Sequence, residues 1–234
     1  MKSAKHISSI DNPLIKRVRT LLEGGVKASK LRAELSIAVA EGVHLAQAWL
    51  GSEDLTEIIT TEEGMNQPEI AAVIDMQLAL VPNTDLYILE ESLWKKVSDL
   101  GHAPPILISI RIPQAEFPVH LNDDVLILDN IQDAGNVGSM MRTAAGAGLK
   151  RIICMKGTAQ TWSPKVLRAA MGAHRHLKIY ESWSLNDIRE KVKLPIFAAS
   201  LIAEQDLYDL GDTLLDPHAW VFGNEGDRKS TRLN

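Results

Sequence analysis

A chain of 234 residues can bury one large core or two modest ones. With 45% hydrophobic and 24% charged residues it has the composition of an ordinary soluble globular protein, and no apolar run approaches the roughly 20 residues that a membrane-spanning helix needs. The formal net charge of −5 is unevenly placed: residues 1–32 hold eight basic side chains (Lys2, Lys5, Lys16, Arg17, Arg19, Lys27, Lys30, Arg32) against Asp11 and Glu23, a pattern that on charge alone suits a localised polyanion-binding surface or a merely solvated helix face.

The first lysines lead into Ser8, Ser9, Asp11 and Asn12 and not into the apolar core of a secretory signal, so a cytoplasmic protein is expected. Asn12-Pro13 followed by Leu14, Ile15, Val18, Leu21 and Leu22 predicts a helix with an asparagine cap, a proline in its first turn and Lys16, Arg17 and Arg19 on its polar face. Beyond it the pattern predicts a strand over 36–40, a helix over 42–50, a strand over 55–60, a helix over 68–74, a strand over 77–81, a helix over 90–100 and a closing strand over 106–112. These make a small α/β domain, and residues 113–121, containing Pro113 and Pro118, read as a linker.

A second α/β unit starts at 122. The pattern predicts strands over 125–129, 151–155, 177–180, 195–200 and 219–222. Between them stand helices over 137–147, from Ser163-Pro164 to 172, and from a Ser184 cap to 192. Such alternation implies a largely parallel sheet covered by helices on both faces. Cys154, among Ile152, Ile153 and Met155, reads as a buried small hydrophobe with no disulfide partner and no catalytic role. His174 and His176 lack nearby cysteine or carboxylate ligands, so no metal site is assigned to them.

The richest segment is Asp129-Asn130-Ile131-Gln132-Asp133-Ala134-Gly135-Asn136-Val137-Gly138-Ser139-Met140-Met141-Arg142, a strand end, a glycine-containing loop and a helix start. By physics alone it could be any nucleotide-binding turn. A dinucleotide-dependent oxidoreductase would require G-x-G-x-x-G and an acidic residue near Met155 and Lys156, and neither is present.

The run from Leu128 to Gly148 resembles the first motif of the SpoU/TrmH branch of the SPOUT methyltransferases, with Asn136 and Arg142 on the family's asparagine and arginine. Ser163-Pro-Lys-Val-Leu-Arg168-Ala-Ala-Met-Gly172-Ala is similar to the segment after the family's second strand, and Val221-Phe-Gly223-Asn224-Glu225-Gly226 to its second motif. The resemblance covers about residues 122–226 and implies an α/β-knot domain over 122–234 that uses S-adenosylmethionine to methylate a ribose 2′-hydroxyl in RNA. It implies catalytic roles for Asn136, Arg142 and Glu225, with Ala199, Ser200 and Gly223 bordering the cofactor. Arginine is a poor base, so Arg142 is expected to hold the ribose-phosphate and stabilise alkoxide charge; Asn136 would orient Arg142 or cap the helix. No metal is called for, and Arg168 is a candidate RNA contact.

In front of it, Ser8-Ser9-Ile10-Asp11-Asn12-Pro13-Leu14-Ile15-Lys16 and Ala40-Glu41-Gly42 resemble the ribosomal-protein L30e-like substrate-binding domain that precedes many SpoU enzymes, here over 1–112. That resemblance gives Lys16, Arg17 and Arg32 phosphates to meet and points to ribosomal RNA before transfer RNA, while the full-length SpoU fold implies a homodimer. After Gly226 the chain departs from the family, reading Asp227-Arg-Lys-Ser-Thr-Arg-Leu-Asn234 where the knot-closing third motif is expected. A truncated catalytic domain with weak cofactor affinity is the expectation, and a non-catalytic RNA-binding module is the alternative function.

Overall fold

The computed structural model describes residues 4–98, 104–199, 203 and 205–223. The chain divides into two compact units, Met1–Pro113 together with Trp162–Gly172, and Gln114–Thr161 together with Ala173–Asn234.

In the first unit β1 (Lys5–Ile7) precedes α1 (Pro13–Glu23), whose Asn12 side chain caps the Leu14 N–H at 2.9 Å and whose Leu14, Ile15, Val18 and Leu21 are buried. A second helix, α2 (Gly25–Leu35), follows at once, which the sequence pattern did not predict because its apolar residues form no clear stripe. Then come β2 (Ile37–Glu41), α3 (Val43–Ala48), β3 (Leu55–Thr61), α4 (Glu62–Met65), α5 (Pro68–Leu80), β4 (Asp85–Leu89), α6 (Glu91–Trp94) and β5 (Ile106–Arg111). Residues 77–81, expected as a strand, are mostly the last turn of α5. The buried Gln77 explains the difference: its side-chain oxygen accepts from Gly51 N at 2.8 Å and its Nε2 donates to Ser52 O and Thr84 Oγ1, both at 3.1 Å. The helix thereby fixes the loops at both ends of its hairpin, and the strand falls instead at β4. Among the described residues the sheet runs β1-β4-β3-β5-β2, parallel except that β5 opposes β3 and β2.

The second unit begins with residues expected as a linker, of which Ala115, Phe117 and Leu121 pack on its core. Its elements are β6 (Val125–Asp129), α7 (Ala134–Gly146), β7 (Arg151–Met155), then, after an excursion, β8 (Lys178–Trp183), α9 (Leu185–Lys191), β9 (Ile196–Ala198) and β10 (Ala219–Gly223). The excursion carries α8 (Pro164–Ala170), which packs on β2 in the first unit. Trp162 lies against Trp49 with ring centroids 6.4 Å apart. The second sheet, β8-β7-β6-β10-β9, is parallel at every pairing. Central strands of a parallel sheet are covered on both faces, which is why β6 and β7 read as continuous apolar runs, with Ile127, Leu128, Ile152 and Ile153 fully buried. Each such side chain contributes about 1.5–3 kcal/mol of burial free energy. No helix among the described residues is long and apolar enough to cross a membrane.

Candidate active site

In the second sheet the chain runs outward from β6 to β7 and β8, then returns on the other side of β6 through β9 and β10. The crevice outside the carboxyl ends of β6 and β10, where the order reverses, is where parallel α/β sheets hold ligands. Gly223 ends β10 opposite Asp129 of β6, and among the described residues nothing stands within 4 Å of where its Cβ would be. A ligand can therefore approach that backbone closely. Ala199, just past β9, is exposed and its N–H donates to Val221 O at 3.1 Å.

Past β6 the chain turns at Asn130, in the left-handed region at φ 56°. Asp133 caps α7, accepting from Asn136 N at 2.7 Å. The helix thus starts three residues earlier than the pattern suggested, and Asn136 sits inside its first turn and is not the cap. The reason is plain afterwards: an aspartate three residues ahead satisfies the same free N–H groups. Val137, Gly138, Met141 and Ala144 face the core, leaving Asn136, Ser139 and Arg142 exposed along the outer face; Ser139 Oγ donates to Asn136 O at 3.0 Å. Arg142 follows Asn136 and Ser139 on this outer face. Among the described residues Arg142 makes no ion pair.

The loop after β7 buttresses this turn, a contribution that sequence reasoning missed. Thr158 Oγ1 donates to Leu128 O at 3.0 Å and Ala159 N to Ile131 O at 2.8 Å. Gly157 (φ 95°) passes so close to Asn130 that a Cβ there would lie 2.3 Å from Asn130 Oδ1. The glycine right after an apolar strand was the visible signal. Glu181 Oε1 accepts from Thr161 N at 2.8 Å, and Thr161 O lies 2.8 Å from His174 Nε2. The carbonyl can only accept, so His174 is the Nε2–H tautomer. Burial pushes its pKa down to about 4, with the Thr161 bond opposing, and it is neutral at ordinary pH. Its ring is thus committed to a main-chain carbonyl while His176 is exposed, and the two do not converge as metal ligands. Burial first, and the Glu181 charge second, push the Cys154 thiol far up, so it stays protonated and is no nucleophile.

The RNA-contact expectations divide. Lys16 is 63% exposed at its side chain and pairs with Asp11 at 2.9 Å. Arg168 is exposed on α8. Arg17 is held on Glu57, both carboxylate oxygens 2.7 Å from its Nη2. Arg32 corrects the expectation: it is only 4% exposed and its Nη1 donates to Leu21 O at 3.1 Å, which braces α2 against α1 and leaves no cation for a phosphate. Arg19, Lys27 and Lys30 are exposed in the same segment and were not singled out. Ser200 and Glu225 lie outside the described residues, as does the chain beyond Gly223.

Comparison with known proteins falls on the same stretch. A profile of the SpoU rRNA Methylase family matches residues 123–231. The chain is 27% identical over 175 residues to a Bacillus subtilis 23S rRNA (guanosine(2553)-2′-O)-methyltransferase, a match covering 75% of this chain and 64% of that protein. It is 48% identical over 159 residues to a mitochondrial rRNA methyltransferase 3B of Danio rerio, covering 64% of this chain and 34% of that one. It therefore spans less than two thirds of the length of either relative. In fold it is similar to an AdoMet-bound rRNA methyltransferase from Sinorhizobium meliloti, with a TM-score of 0.77 at 22% identity over 98% of this chain and 85% of that one. Over residues 123–231, which include β6, β10 and the α7 face carrying Asn136 and Arg142, the chain is similar to the SpoU rRNA Methylase family.

Proposed function

We propose that this chain transfers a methyl group from S-adenosylmethionine to a ribose 2′-hydroxyl of ribosomal RNA. The observation that carries the reading is the exposed face of α7, which bears Asn136 and Arg142 on the helix that follows the carboxyl end of β6. The residues fit the cofactor: the open space at Gly223 and the exposed Ala199 border a crevice at the strand-order reversal. When bound, S-adenosylmethionine supplies an electrophilic methyl on a sulfonium, which needs no metal.

Arg142 is permanently cationic and presents a planar fork of donors, so it serves to hold the ribose-phosphate and to stabilise the negative charge that grows on the 2′-oxygen. Asn136, six residues earlier on the same helix, orients that guanidinium or the ribose, and the motif resemblance gives Glu225 the role of holding Arg142 or a substrate group. The first unit supplies the grip on RNA as an L30e-like substrate-binding domain, with Lys16 and the exposed Arg19, Lys27 and Lys30 meeting phosphates and Arg168 adding a contact from α8. The protein acts as a homodimer, an assignment supported by the exposed apolar side chains of the second unit, Tyr208 (91% exposed) and Leu215 (81%) among them.

The test is transfer of labelled methyl to ribosomal RNA. Arg142→Ala is expected to lower kcat at least about 100-fold while a gel shift with the same RNA is unchanged. Full activity in that variant refutes the assignment, and sedimentation of the chain as a monomer refutes the dimer.

A further inference from the structure

The loop from Lys156 to Thr161 lies between the strand that bears the edge of the sheet and the turn that opens the candidate site. At its start Lys156 N donates to Trp183 O at 2.9 Å, which ties it to β8. In its middle Thr158 and Ala159 hold Leu128 O and Ile131 O, two carbonyls of the segment that leads to the Asp133 cap. At its end Thr161 is fully buried, and the polar groups of its backbone face two side chains: Glu181 on the N–H and His174 on the carbonyl. His174 lies in the short 3-10 turn Ala173–His176, which packs on α7, and Glu181 lies on β8. A loop of this length has many accessible conformations, and fixing its last residue from both sides removes most of them. Without those bonds a buried N–H and a buried C=O would have to find water, at about 1–3 kcal/mol each, and the loop would shift to do so.

We propose that His174 and Glu181 are positioning residues for the cofactor site: by gripping Thr161 they keep Thr158 and Ala159 against the β6–α7 turn and so hold the crevice in its binding shape. The inference rests on the methyltransferase reading. It adds residues that act through the Thr161 end of the loop. The Nε2–H of His174 donates to Thr161 O, and burial keeps the ring neutral. A glutamine placed there carries its Nε2 donor at a similar reach, and a glutamine in place of Glu181 keeps the accepting oxygen, so the conservative variants separate the hydrogen bonds from mere volume.

The experiment uses the full chain and its variants H174A, E181A, H174Q and E181Q, with two readouts. Hydrogen exchange reports the Ala159 amide, and calorimetry with S-adenosylmethionine reports affinity. Both alanine variants are expected to lose protection at Ala159 and to weaken cofactor binding about tenfold, raising KM for the cofactor while kcat and RNA binding change little. Both glutamine variants should recover most of each loss. Alanine variants with parental protection and affinity overturn the proposal, and so do glutamine variants that fail as badly as the alanines, since packing would then be the cause. If the parent itself binds no S-adenosylmethionine, the methyltransferase reading falls, while the exchange data still decide whether His174 and Glu181 fix the loop.

Discussion

Acidification offers a quantitative check on the buried histidine. His174 is neutral in the folded chain, its pKa pushed by burial from 6.5 to about 4, while the unfolded chain keeps the ordinary value. Above pH 6.5 neither state is protonated and the group contributes no pH dependence. As the pH falls below 6.5 the unfolded chain takes up a proton that the folded one refuses, so stability is lost, and the loss levels off once the pH passes below about 4. The full penalty is about 3 kcal/mol, of which about 2 kcal/mol has accrued by pH 5. Urea unfolding at pH 7 and pH 5, for the parent and for His174→Gln, isolates this group because the other six histidines cancel in the comparison. With slopes of about 1–3 kcal/mol per molar urea, the parent midpoint should fall by about 1 M more than that of the variant. Equal losses in the two proteins refute the argument.

Other consequences are simpler to read. Lys16→Ala should weaken RNA binding and reduce its salt dependence by about one counterion, measured as the slope of log affinity against log salt. Arg32→Ala should leave that slope unchanged and destabilise the first unit by about 2–3 kcal/mol in thermal unfolding, because Leu21 O loses a buried charged donor. Ser184 caps α9 in a reciprocal box with Asp187, so Ser184→Ala should cost about 1 kcal/mol. The Ser184 hydroxyl and backbone N–H, helped by Lys191, hold the Asp187 carboxyl down to about 2, which means the cap persists above the ordinary carboxylate range and fails only as the pH falls toward 2. A carboxyl-carbon titration near 4 would contradict it. Cys154 should resist alkylation in the folded protein and react in urea.

How far the sequence revealed this structure depended on what kind of force set each part. The central strands β6 and β7 were plain because burial on both faces demands unbroken apolar runs, and Ser184 and Asn12 were plain because caps need short polar side chains. The end of α5 was misread since Gln-Leu-Ala-Leu suits either period, and the three bonds of Gln77 that decide it reach residues far off in the chain. Counting charges put Arg32 with the RNA contacts, but a count cannot see that one guanidinium is turned inward. Asn136 and Arg142 were found through motif resemblance, whereas the loop that supports their helix works through main-chain carbonyls at Leu128, Ile131 and Thr161, which leave no mark on residue identity.

The excursion through α8 also governs how the protein can be taken apart. Residues 162–172 leave and rejoin the second unit yet pack on β2 and α3, with Gly172 so tight that an added Cβ would sit 2.5 Å from Ala48 Cβ. A cut after Pro113 therefore frees no autonomous module: the amino-terminal fragment is stripped of the helix that packs on its edge strand β2, and the remainder carries that helix with nothing to cover. Recombination that swaps either half for a cousin's must exchange the matching eleven-residue patch along with it, so the two halves are bound to diversify as a single inheritance.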